Sequence, residues 1–132
     1  MTVVANAAGE ACFVITRRVS TLRNHSGQWA LPGGRIDEGE EPSHAALREL
    51  DLRQNPREVA EAYRVPIAGL DAPGIPKLFD IPQSDRPVLS VRILGQDIFA
   101  PTAALVFQFR ELAIHGRDTR VAQYDQPLFA WR

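Results

Sequence analysis

The residues best suited by type and spacing to do chemistry lie in one run. Gly34-Arg35-Ile36-Asp37-Glu38-Gly39-Glu40 is followed, seven residues later, by Arg48-Glu49-Leu50. A glycine turn leads into an acidic helix whose inner turns place Glu49 beside Arg48. That layout suits a divalent cation held against a diphosphate: carboxylate oxygens bind a hard cation, and a guanidinium neutralises phosphate. The same residues also fit a plain turn followed by an ordinary amphipathic helix, and spacing alone does not separate the two. The basic residues are lopsided, fourteen Arg against the single Lys77. Arg is the side chain whose planar fork matches phosphate and carboxylate, which leans toward phosphorylated ligands.

The elements that must position this run can be read on either side of it. Thr2 to Ala5 and Ala11 to Thr16 are short and β-branched around Gly9, which predicts a hairpin. Arg17 to Gln28 reads as a loop, and Trp29 to Leu31 as a strand that bends at Pro32-Gly33-Gly34. A helix is predicted from Pro42, with Ala46, Leu47 and Leu50 as its apolar stripe and Asn55-Pro56 as its stop. Arg57 to Ile67 is ambiguous: Val59, Glu61, Tyr63 and Val65 alternate as in a strand, while Ala60 and Ala62 also tolerate helix. The proline-rich stretch from Pro66 to Pro87 predicts irregular surface chain. Val88 to Leu94 and Ile98 to Ala100 read as strands around Gly95-Gln96. Pro101 to His115 reads as a closing helix with Ala104, Leu105, Phe109 and Leu112 on one face and a stop at Gly116.

With 132 residues, 45% hydrophobic and 23% charged, the chain has room for one core, so a single domain over 1–132 is expected. A formal net charge of -1 provides no global attraction to nucleic acid or to an anionic membrane, and neither is expected as a partner. No apolar run reaches the length of a membrane span, and Met1 to Glu10 lacks the pattern of a signal peptide, so the expected location is cytoplasmic. Cys12 sits in an apolar run and is expected to be a small buried hydrophobe. His44 is expected at the surface, His115 as a capping partner near a helix end, and Trp29 and Trp131 as core or docking residues.

Gly34, Glu40, Arg48, Glu49 and Leu50 fall where the Nudix box, G-x5-E-x7-R-E-U-x-E-E-x-G-U with U aliphatic, has its first half, and the chain resembles a Nudix hydrolase. Upstream, Thr16-Arg17 and Leu22-Arg23-Asn24-His25-Ser26-Gly27-Gln28, leading to Leu31-Pro32-Gly33-Gly34, resemble the extra signature of the coenzyme A pyrophosphatase branch. The resemblance implies an α/β fold, a Nudix-type α/β/α sandwich around a mixed β-sheet. It implies hydrolysis of the diphosphate bond of coenzyme A or a related nucleoside diphosphate derivative, with Mg2+ or Mn2+ as cofactor. It assigns Glu49 to the metal, Arg48 to bracing loop and helix, Glu40 to pairing with Arg48, and Gly34 to the turn. Arg17, Arg23, His25 and Gln28 are the substrate contacts it implies.

The second half of the box is absent. Leu52 and Arg53 stand where two Glu are called for, and Asn55 and Pro56 where Gly and an aliphatic residue are. Arg53, four residues after Glu49, would pair with that carboxylate and compete with a cation. Family-like sequence resumes at a point that lies well downstream in relatives, so an apparent internal deletion, or a stretch of chain left out of the sequence, is placed near residues 50–53, and the sandwich would then be incomplete. An ordinary enzyme with a stretch of chain left out of the sequence is the favoured reading. The others are an impaired remnant and a module binding a nucleotide or protein partner. If the deletion is real, a homo-oligomer is expected, because a second copy would cover exposed sheet edges.

Overall fold

The structure, a computed structural model, describes residues 1–21, 27–32, 38–39 and 59–130. These fall into two compact units, Met1–Pro66 and Ile67–Arg132. With two antiparallel sheets and a C-terminal helix, the architecture is mixed α/β and consistent with a Nudix-type fold.

In the first unit β1 (Val3–Ala5) and β2 (Ala11–Arg18) form the expected hairpin, with Val3 opposite Phe13 and Ala5 opposite Ala11. Gly9, at φ 80°, takes the left-handed conformation that the turn needs. The Asn6 side chain fastens the turn by accepting the Ala8 and Glu10 N–H groups, each at 2.9 Å. β3 (Trp29–Ala30) and β4 (Val59–Pro66) both pair antiparallel with β2. The alternating residues of Val59 to Val65 therefore form a strand. Cys12, Phe13, Val14 and Ile15 are all buried, so β2 is covered on both faces, and Cys12 is the buried small residue its surroundings predicted.

In the second unit β5 (Lys77–Ile81), β6 (Ser84–Ile93) and β7 (Gln96–Phe99) make a three-stranded antiparallel meander. The helix α1 (Thr102–His115) packs on β6, β7 and a 3-10 turn at Ile67–Asp71. Two expectations are corrected here. The stretch from Pro66 to Pro87 is not irregular, because its prolines sit where a ladder tolerates them. Pro66 ends β4, Pro76 precedes β5, Pro82 lies in the turn between Ile81 and Ser84, and Pro87 falls where the β5–β6 register shifts. The apolar face of α1 is also rotated from the predicted one. Ala103, Ala104, Val106, Phe107 and Glu111 are buried, while Leu105 and Leu112 lie at 49% and 62% exposure. A carboxylate on the inner face disguised the true stripe.

Candidate functional site

β2 delivers its last two residues to a cleft of about 350 Å³ lined by Arg17, Arg18, Ser20, Gly27, Ala60 and Glu61. Successive residues of a regular strand point to opposite faces. The register between β2 and β4 shifts between Arg17 and Arg18, with Arg17 opposite Glu61 and Arg18 opposite Val59. Such a bulge re-aims a side chain, and here two consecutive arginines border one space. Gly27 supports the return of the chain with φ 65°, and the Arg18 N–H donates to the Gln28 carbonyl at 2.9 Å. Below the cleft the Thr16 hydroxyl donates to the Ala30 carbonyl at 3.0 Å, tying β3 to β2.

Next to the arginines, the Trp29 and Tyr63 rings meet at 5.4 Å between centroids, tilted by 47°. The Tyr63 hydroxyl donates a short hydrogen bond to the Glu61 carboxylate. That bond, with some desolvation and the nearby negative charge, holds the phenol above its ordinary pKa, and the charge of Arg17 works in the opposite direction. By formal charge the cleft has two guanidiniums against one carboxylate. Arg17 is exposed and Arg18 half-buried, and the Arg18 Nε is buried with no hydrogen-bond partner among the described residues. A cleft of this composition can hold an anion.

Of the residues the sequence nominated, Arg17 lines the cleft, and Gln28, half-buried next to Gly27 in the chain, is not among the residues that line it. Gly34, Arg23, His25, Glu40, Arg48 and Glu49 lie outside the described residues, as do positions 50–53 and the helix predicted from Pro42. Among the described residues no three of His, Cys, Asp and Glu come together as a metal site, and Glu61 is the one acid bordering the cleft. Sequence reading missed Arg18 and Glu61 as cleft residues. The signal available was a pair of arginines ending an apolar strand, opposite the acid of an alternating strand. His115 is not a cap for its own helix end: its Nε2 lies 3.0 Å from the Asp71 carboxylate. Trp29 is half-buried against Tyr63. No helix among the described residues is long and apolar enough to cross a membrane.

Residues 1–51 match the family model of the NUDIX domain. Two curated relatives are each named a Nudix hydrolase, NudL. The protein of Photorhabdus laumondii is 35% identical over 101 residues, covering 58% of this chain and 54% of the relative. That of Yersinia enterocolitica is 42% identical over 65 residues, covering 48% of this chain and 31% of the relative. The chain thus spans about half the length, or less, of the curated relatives it matches.

Proposed function

We propose that the chain is a Nudix pyrophosphohydrolase that cleaves the diphosphate bond of coenzyme A or a related nucleoside diphosphate derivative. The observation that carries this reading is the cleft at the end of β2, where Arg17 and Arg18 converge within the segment that matches the NUDIX model. Arg17 binds a phosphate oxygen and orients the substrate, with Arg23, His25 and Gln28 as the further contacts. Glu49 holds Mg2+ or Mn2+, Arg48 braces the helix that carries Glu49, Glu40 pairs with Arg48, and Gly34 makes the turn. When bound, the metal neutralises the diphosphate and acidifies a water.

The absence of Glu at positions 52 and 53 favours a second reading, a catalytically impaired Nudix-fold module that binds a nucleotide or a protein partner. A real deletion near residues 50–53 favours this second reading, whereas a stretch of chain left out of the sequence favours the enzyme. The match to the Photorhabdus relative runs over 101 residues yet takes up 58% of a 132-residue chain, so the relative carries positions within that span which this chain lacks. A cytoplasmic location, a single domain and, with a real deletion, a homo-oligomer belong to the same proposal.

The test is release of 3',5'-ADP from coenzyme A with Mg2+ or Mn2+. The enzyme reading expects turnover that Glu49→Gln lowers by about 100-fold or more, at least the loss seen when a metal site's supporting partner is removed. Turnover indistinguishable from buffer, with nucleotide binding intact, selects the module instead.

A further inference from the structure

We propose that Tyr63 is a positioning residue of the cleft, its hydroxyl holding the Glu61 carboxylate off Arg17 so that this guanidinium stays available to an anionic ligand. The inference rests on the anion-binding reading of the cleft and adds to it the device that keeps the site open. Arg17 and Glu61 stand directly opposite each other on neighbouring antiparallel strands, and both border the cleft. Opposite charges so placed share a face of the sheet and attract across the strands. No ion pair joins them, however, and Arg17 makes none with any other described residue. The Glu61 carboxylate accepts the Tyr63 hydroxyl instead. Tyr63 lies two residues further along β4, on the same face as Glu61.

The phenol prevails over the guanidinium for physical reasons. Its ring is already ordered, meeting the Trp29 ring at 5.4 Å between centroids. Trp29 is the residue opposite Arg17 on β3, and Ile15, opposite Tyr63 on β2, is fully buried. The hydroxyl therefore loses little further freedom on bonding Glu61, whereas Arg17 is exposed and would have to give up several rotors to do so. A hydroxyl donating to a carboxylate makes one of the stronger hydrogen bonds, while an exposed ion pair contributes little. The phenol is also held above its ordinary pKa, so it remains a donor throughout the neutral range. The result is a carboxylate engaged within β4 and a guanidinium that is not engaged at all within the described residues. With phenylalanine at position 63 nothing would hold Glu61 back, and it would turn to Arg17 and compensate the charge that attracts an anion.

The experiment uses the full chain with inorganic phosphate as the probe, at ionic strength held constant with chloride, and compares Tyr63→Phe, Glu61→Gln and the two combined. In calorimetry Tyr63→Phe should weaken phosphate binding about 3- to 5-fold, the scale of an exposed ion pair that must first be broken. Glu61→Gln should recover that loss in the Tyr63→Phe background yet change affinity much less when Tyr63 is present. A merely structural role of the tyrosine would not produce this non-additivity. Without ligand, phenylglyoxal should modify Arg17 more slowly in Tyr63→Phe and at the original rate in the double variant, read by tandem mass spectrometry. If Tyr63→Phe fails to fold, Glu61→Gln alone decides: Arg17 should react as in the unsubstituted chain, because the carboxylate was not paired with it. Full phosphate affinity in Tyr63→Phe, an equal gain from Glu61→Gln in both backgrounds, or an Arg17 made more reactive by Glu61→Gln alone would each overturn the proposal. An unsubstituted chain that binds no phosphate removes the anion-binding reading and the proposal with it, whereas phosphate binding indifferent to Tyr63 removes the proposal alone. Hydrolysis of coenzyme A is scored separately and bears only on the enzyme reading.

Discussion

Arg86, Arg92, Arg110 and Arg117 of the second unit each meet a carboxylate of that unit, whereas Arg18 of the first has a buried Nε that meets nothing described. The paired arginines build structure. Arg110 donates from Nε to the Leu70 carbonyl at 2.8 Å, from one terminal nitrogen to Asp71 at 3.1 Å, and from the other to Glu111 at 2.5 Å, which fastens the 3-10 turn to α1. Arg117 reaches back from beyond Gly116 to the other Glu111 oxygen at 2.7 Å. Arg86 and the Ser84 hydroxyl hold Asp125, which keeps the C-terminal segment against β6. A guanidinium whose donors are all used within the fold has little left for a ligand. The contrast separates arginines that fasten the second unit from a pair of arginines that borders a cleft, although the sequence writes both with the same letter.

Glu111 is the sharpest point at which to break that contrast. At 5% exposure it is a buried carboxylate compensated by two guanidiniums. Glu111→Ala leaves Arg110 with a missing partner in a poorly solvated place and should cost about 3 kcal/mol, the lower end for breaking a buried pair because Arg117 is largely exposed. Chemical denaturation of the full chain should show this as a lower unfolding midpoint. Phosphate affinity measured well below that transition should stay unchanged. A variant with full stability and lost phosphate binding would reverse the roles assigned to the two groups of arginines.

Gly116 tests the same latch more gently. It ends α1 at φ 63°, its N–H donating to Leu112 O at 3.1 Å, and the next N–H, of Arg117, donates to Glu111 O at 2.9 Å. A Cβ there would touch nothing within 4 Å, so the cost of Gly116→Ala is one of backbone conformation alone. It should be about 1 kcal/mol, read as a small drop in the thermal midpoint. A loss as large as that of Glu111→Ala would mean that the turn, and not the buried carboxylate, holds Arg117 in place.

The parts of the molecule that the sequence made legible are those governed by local rules. The β1–β2 hairpin follows from β-branched runs around Gly9, and the span of α1 from its stop at Gly116. The inner face of α1 was hidden because Glu111, a residue type that normally marks solvent, lies within it. The strands between Lys77 and Pro87 were hidden because proline reads as a breaker until the register that accommodates it is known. Arg17 was nominated by its motif; that Arg18 borders the same space depends on a bulge, and although the pair of arginines is written in the sequence, a one-residue shift of register leaves no mark in composition or periodicity.

The smallest effect concerns Arg92 and Asp97, paired across the β6–β7 hairpin at 2.9 Å with both side chains partly exposed. The hydrogen bond and charge of Arg92 hold the Asp97 carboxyl below the usual carboxylate range. A carboxyl whose pKa is depressed in the folded state adds stability above its unfolded pKa and loses it as pH falls through the folded value. Asp97→Asn should therefore lower stability slightly at neutral pH, less in high salt, and the difference from the unsubstituted chain should vanish in acid. The substitution also frees a guanidinium on an open surface, where water solvates it and no cleft surrounds it. No new phosphate site should appear at Arg92, as titration of Asp97→Asn with phosphate can check. A site gained there would mean that an unpaired guanidinium is sufficient by itself, and that a cleft bordered by two arginines adds nothing.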